Sequence, residues 1–219
     1  MENTRISVFR MILVPGLITL AVTILRLVGE LNRWSETFFR RSAGGAFAVV
    51  GIVWLAFVFA IFFALRLPAK GVALEKPGKA LGLTVVAIVL CVAGTFVMFG
   101  AGPVRLIGGI LILIAAFVVM RFAWPTYWNV MMAYAVAARI PVLIVMFFAI
   151  RGNWGTHYDA VEPATASYPG FASKFWELAL EPQLFFWIPF TVVICGLFGI
   201  IAAAIARAVR KQPAPAAAA

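Results

Sequence analysis

Long apolar runs dominate this chain, separated by short clusters of Arg, Lys, Pro and Gly. About 20 residues of helix cross the hydrocarbon of a bilayer. Six runs reach that length, at about 8–28, 43–65, 80–100, 104–122, 128–150 and 184–205. Helix is the assignment that lets each run satisfy its own backbone hydrogen bonds in lipid. Barrel strands would read as roughly 10-residue stretches of strict alternation, and the runs have no such pattern. The expected fold is therefore all-α: a polytopic transmembrane helical bundle of six helices, one membrane domain over 1–211 with a disordered tail at 212–219.

The breaks between runs predict the connections. "GAGPVR" and "FAWPTYW" are tight and carry helix breakers, so helices three and four, and four and five, are expected as antiparallel hairpins. The first run lacks a small-x-small cleavage site and reads as a retained anchor. The segment that follows, "LRLVGELNRWSETFFRR", reads as an amphipathic helix lying along the interface. Arg26 and Glu30 are spaced to pair on its surface, worth about 0.2–0.5 kcal/mol. Beyond Pro169-Gly170, Phe171, Phe175, Leu178 and Ala179 share one face, predicting an interfacial helix over 171–180 that rests on lipid or covers the outer end of the bundle. Small residues recur four apart at Gly44/Ala48, Gly78/Gly82, Ala133/Ala137 and Gly199/Ala203. That spacing lets helix backbones approach closely, and intramolecular packing is expected. Trp34, Trp124, Trp128, Trp154, Trp176 and Trp187 fall near predicted ends, as an aromatic belt does, while Trp54 falls mid-span.

Composition agrees with the membrane assignment: 64% of residues are hydrophobic and 12% charged, against about 45–50% and 25% in soluble domains. The net charge of +10 does not point to nucleic acid. Its Lys and Arg residues lie between and beside the apolar runs, not on one clustered face. Membrane lipids are the expected partners, with anionic headgroups at the basic 66–79 loop. The Lys/Arg bias places both termini in the cytoplasm. An Ala- and Arg-rich composition without an N-glycosylation sequon points to a bacterial inner (plasma) membrane. Cys91 and Cys195 lie inside apolar runs and read as small hydrophobes.

The candidate chemistry centres on Arg139, near the middle of the fifth run. Arginine stays charged, and at the centre of a lone membrane helix it costs from about 2.5 to over 10 kcal/mol. It must therefore face protein or water. No Asp or Glu lies at mid-depth, whereas Pro15, Pro141 and Pro189 free the carbonyls of Met11, Ala137 and Phe185. Arg139 either ties the bundle together through such oxygens or faces a polar pocket and holds an anion, which its forked donors suit. Arg139, Pro141 and Asn129 form the candidate ligand-binding set, with Pro141 as the break that shapes the pocket.

The longest polar stretch holds the only histidine, His157, in a cluster with Asp159 and Glu162. Catalytic zinc sites use more nitrogen or sulfur ligands than this, so no metal is expected and a solvated outer loop is. The chain has no HExxH, GxSxG, phosphate-binding or dinucleotide fingerprint, so neither an enzyme nor a cofactor is expected. The functional expectation is binding or transport of a lipid or small anionic solute near Arg139. The alternative is a non-catalytic scaffold or accessory subunit with a membrane protein partner or a second copy of itself.

Overall fold

A computed structural model describes residues 7–43, 48–100, 102–161 and 167–211. The described residues form six helices and no strand. Helix α1 (Val8–Leu31) starts at Ser7, whose hydroxyl accepts the Arg10 backbone N–H at 3.3 Å and caps the first turn. Helices α3 (Pro77–Met98), α4 (Pro103–Ala123) and α5 (Pro125–Gly152) each open on a proline. There the missing N–H removes no intrahelical bond. Helix α2 covers Val53–Arg66 and α6 covers Phe171–Arg210. All but α2 are long and apolar enough to cross a bilayer, which makes the chain an integral membrane protein.

Two expectations about helix extent are corrected. The second run was expected as a span over 43–65, but α2 has only 14 residues. At 1.5 Å per residue it is about 21 Å long, short of the roughly 30 Å hydrocarbon core. Residues 48–52 run as bends, and 44–47 lie outside the described residues. The sequence "AGGAFAVVGI" is apolar but rich in glycine, which disfavours helix by about 1 kcal/mol per residue relative to alanine. The interfacial helix expected after α1 is also absent. The chain leaves α1 at Leu31 and turns irregularly, with Arg33 at φ +53°.

The helix expected over 171–180 exists but is not separate. It is the first part of a continuous 40-residue α6. Wide π-helical turns occupy Trp176–Leu180, Pro182–Trp187 and Phe190–Cys195. Pro182 and Pro189 cannot donate to the carbonyl four residues back, and wider turns carry the helix past them. By contrast, α1 and α5 continue as regular helices through Pro15 and Pro141.

Pairings between helices set the direction of each. Thr19 meets the Tyr134 hydroxyl at 2.9 Å, and Glu30 meets His157 just beyond α5, so α1 and α5 run parallel. Tyr127 donates to the carbonyls of Ala60 at 3.1 Å and Gly196 at 3.3 Å, pinning α2, α5 and α6 at one level. Gly199 adjoins this pin, and a Cβ there would lie 2.5 Å from the Ala60 carbonyl oxygen. Of the small-residue pairs, Gly199/Ala203 thus serves close packing, whereas Gly78 and Gly82 face open space and Gly44 lies outside the described residues. The buried rings of Phe59, Phe63 and Tyr134 pack edge-on nearby. The bundle therefore has a Glu30 end, where α1 and α5 finish, and an Arg207 end, where α2 and α6 finish.

The α3–α4 pair forms the expected antiparallel hairpin, with Gly94 against Leu113 and Gly109 against Met98. Helices α4 and α5, joined by Trp124, meet near their joint through Phe117–Trp128 and Arg121–Asn129. A Cβ on Gly109 would stand 2.5 Å from the Met98 backbone nitrogen, whereas one on Gly108 would lie 3.7 Å from Val97. Gly109→Ala is therefore expected to destabilise the detergent-solubilised protein by about 1–3 kcal/mol, the usual cost of overpacking. Gly108→Ala should be neutral or stabilise by up to about 1 kcal/mol, the helix preference for alanine. Thermal unfolding of the two variants checks this pair of outcomes.

Candidate functional site

Because α2 begins only at Val53, no helix among the described residues fills the space between α1, α5 and α6 towards the Glu30 end. That space is a cavity of about 310 Å³. Thr23 and Arg26 of α1 line it, with Ile52 and Val53 as its floor and Val142 and Met146 on the α5 wall. From α6 come Gln183 and Trp187, and the α5–α6 connection adds His157 and Tyr158.

Arg139 also faces this cavity and is 5% exposed. Its Nη1 donates to the Gln183 side-chain oxygen at 3.3 Å, and its guanidinium lies 4.9 Å from the Trp187 ring centroid, a cation–π contact. Its buried Nε–H has no hydrogen-bond partner among the described residues. Among the described residues no carboxylate forms an ion pair with it. Arginine offers five N–H donors, and a buried charged donor without a partner costs more than a made bond gains. The start of α2 adds to the positive field. Ile52 stands at its cap position without a side-chain hydrogen bond, so the positive end of the helix dipole meets the cavity.

Charges at the wider end are balanced differently. Arg26 Nε donates to Glu30 Oε1 at 2.7 Å, and the His157 backbone N–H donates to Glu30 Oε2 at 2.8 Å. His157 Nδ1 is 2.6 Å from Glu30 Oε1. That contact is an ion pair only when the ring is protonated; the hydrogen bond from His157 to Glu30 is the one its backbone N–H donates. The Glu30 side chain is 0% exposed, and Arg26 reaches on to the Arg40 carbonyl at 3.3 Å. Glu30 thus ties the end of α1 to both neighbouring connections. Burial pushes the His157 imidazolium below its ordinary 6.5, outweighing the opposite pull of Glu30.

The structure redistributes the residues singled out in the sequence. The Arg26–Glu30 pair, expected on an exposed helix surface, is buried and shared with His157. The loop around His157, expected to be solvated, turns inward: Thr156, Tyr158 and Asp159 are buried. Asp159 accepts from Gly155 N at 2.9 Å, Thr156 N at 2.8 Å and Thr156 Oγ1 at 2.6 Å, so it holds its own turn. Glu162 lies outside the described residues, among which no cluster of His, Cys, Asp and Glu fits a metal ion.

Pro141 is half-buried beside Arg139 and does not line the cavity. Asn129 is away from it as well, accepting from Arg121 Nη1 at 2.9 Å near the α4–α5 joint. Arg139 was expected on backbone carbonyls or hydroxyls, but its partners are an amide and an indole. Gln183 went unnoticed because it sits one residue outside the apolar run at 184–205. As the one side-chain amide beside Pro182 at the mouth of that run, it was the available signal. The tryptophans exchange roles: Trp54 stands exposed at the start of α2, while Trp187 lies inside α6 against Arg139.

No known protein family, characterised protein or solved structure matches the chain.

The depressed His157 has a consequence for stability. The unfolded imidazole takes up its proton near 6.5, whereas the folded one does so only at lower pH. Between those values the unfolded chain binds more protons, so stability falls as pH drops. Unfolding in detergent at pH 7.5 and 5.5 should show this loss, and His157→Gln should flatten the slope across that interval.

Proposed function

We propose that the protein binds a small amphipathic monoanion, a carboxylate or a phosphodiester, in the cavity at the Glu30 end, for carriage or presentation within the membrane. The observation that carries this reading is the Arg139 guanidinium, buried beside the cavity with an unpartnered Nε–H and no acidic partner among the described residues. Glu30 already neutralises Arg26. The one carboxylate lining the cavity, Glu177, is exposed and forms no ion pair with Arg139, so among the described residues Arg139 is the buried charge without a bonded counterion, and a single negative charge matches it. Its planar fork suits two anionic oxygens, and the uncapped start of α2 favours the same sign.

The walls argue for an apolar body on that anion. Ile52, Val142, Met146 and Leu178 line the cavity beside the polar groups. A single water needs only about 10–15 Å³ of such space, so a cavity of about 310 Å³ has room for a head and its first carbons. Membrane transporters commonly cradle anionic substrates with helix N-termini at interrupted helices. The uncapped α2 start and the π-turns of α6 are features of that kind.

A scaffold reading rests on the contacts Arg139 already makes, the Gln183 bond and the Trp187 ring, as a lock between α5 and α6. Native mass spectrometry of the detergent-solubilised protein separates the two. Wild type is expected to retain a bound anion, whose mass distinguishes a lipid from a small solute. Arg139→Lys should keep the fold and weaken retention by about 10- to 100-fold, the loss of one charge-assisted bond worth about 1.5–3 kcal/mol. A wild-type protein that carries nothing, with an Arg139→Leu variant equally stable, would leave the pocket without a purpose.

A further inference from the structure

The Arg207 end carries a second cleft that the Arg139 reading does not use. After α2 ends at Arg66, Pro68–Lys70 makes one tight turn that closes on Gly71 at φ +80°. That turn sends the chain back across α6. Leu74 is buried there, and its carbonyl accepts from Arg207 Nη1. Between this loop, the end of α2 and the last turns of α6 lies a cleft of about 230 Å³. Ala64, Ala73, Ala203 and Ala206 contribute small side chains to it, which is why the space stays open. Its wall is apolar, and its two charged lining residues are Arg207 and Arg210. Leu65, Ala73 and Arg210 are exposed, so the cleft opens to the surroundings of the bundle.

The charge around this cleft is one-sided. Arg207 and Arg210 line it, and the segment that runs from the end of α2 to the start of α3 carries Arg66, Lys70, Lys76 and Lys79 against Glu75 alone. An apolar slot with a cationic rim, at the end of a membrane-crossing helix, matches one kind of molecule. We propose that the cleft is a binding site for an anionic glycerophospholipid. Part of an acyl chain lies against the alanines of α2 and α6, and the phosphate meets Arg210 and the free face of Arg207. A soluble anion gains nothing from the apolar wall, and a zwitterionic lipid gains little from the rim.

The test uses the full-length protein in detergent, titrated with phosphatidylglycerol or phosphatidylcholine of equal chain length and read by native mass spectrometry. Phosphatidylglycerol is expected to be retained preferentially. Arg210→Gln should weaken it about five-fold, the value of one basic residue near an anionic surface, while leaving phosphatidylcholine unchanged. Ala206→Phe, or the milder Ala206→Leu, fills the cleft without altering charge and should displace the lipid, with thermal unfolding confirming an intact fold. The titration is run in the Arg139→Leu background, which removes any phosphodiester held at the Glu30-end cavity; the preference for phosphatidylglycerol and its loss in the Arg210 and Ala206 variants should persist there, so the two sites stand or fall separately. Equal retention of the two lipids overturns the proposal. So does an unchanged preference in folded cleft-filling variants, which would reduce the effect to surface charge. Competition by glycerol phosphate lacking acyl chains would make free phosphate the ligand and overturn it too.

Discussion

The length of α2 is the constraint from which the other features follow. A helix of 14 residues that starts at Val53 cannot pack against α1, α5 and α6 along their whole length. One half of the bundle is closed by helix packing, around the Tyr127 bonds to α2 and α6. The other half is closed by connections, and backbone outside helices must find partners for its polar groups. The Glu30 network supplies some of them. One carboxylate accepts from Arg26 and from the His157 backbone, with the His157 ring beside it, fastening the loop to the end of α1. Tyr158 adds a bond to the Thr23 carbonyl at 3.4 Å.

The two buried arginines facing the cavity stand in opposite electrostatic positions, and the contrast separates architecture from function. Arg26 has a carboxylate at 2.7 Å and a backbone carbonyl beyond it. Removing one partner from such a buried pair costs about 3–5 kcal/mol because the other charge is stranded, so the pair behaves as structure. Arg139 has one neutral hydrogen bond at 3.3 Å and the face of an indole. A cation–π contact contributes about 0.5–2 kcal/mol, less than the burial of a guanidinium costs. The proposed anion would supply the partners that this charge lacks.

The membrane helices were legible because hydropathy reports what each residue prefers as solvent, and for α1, α3, α4 and α5 the apolar run and the helix coincide within a few residues. That measure is blind to glycine. Residues 43–52 are as apolar as their neighbours, but Gly44, Gly45 and Gly51 weaken helix there. Arg139 was legible for the same reason it is costly: nothing else in its run resembles it. Its surroundings were not, since Gln183 and Trp187 approach it from 44 and 48 positions away along the chain. The Arg26–Glu30 spacing could be read from local sequence, but its burial could not. That depends on a loop more than 120 residues later, which brings His157 to Glu30.

The irregular part of α6 ends where the regular part is held. Its π-turns run from Trp176 to Cys195 and form one wall of the Arg139 cavity, while Gly196 begins uninterrupted α-helix. Gly196 is also the residue whose carbonyl receives Tyr127, and one turn later Gly199 lies close under the Ala60 carbonyl. Trp187 and Ala203 are 16 residues apart along the helix, and the pin sits between them. A change in wall shape on one side meets turns whose hydrogen bonding is already loose, then a level where three backbones touch. Packed contacts of that kind resist displacement. On the proposed reading, the π-turn wall is the part of the Glu30-end cavity that would adapt to an anion, and the pin separates it from the cleft beside Arg207.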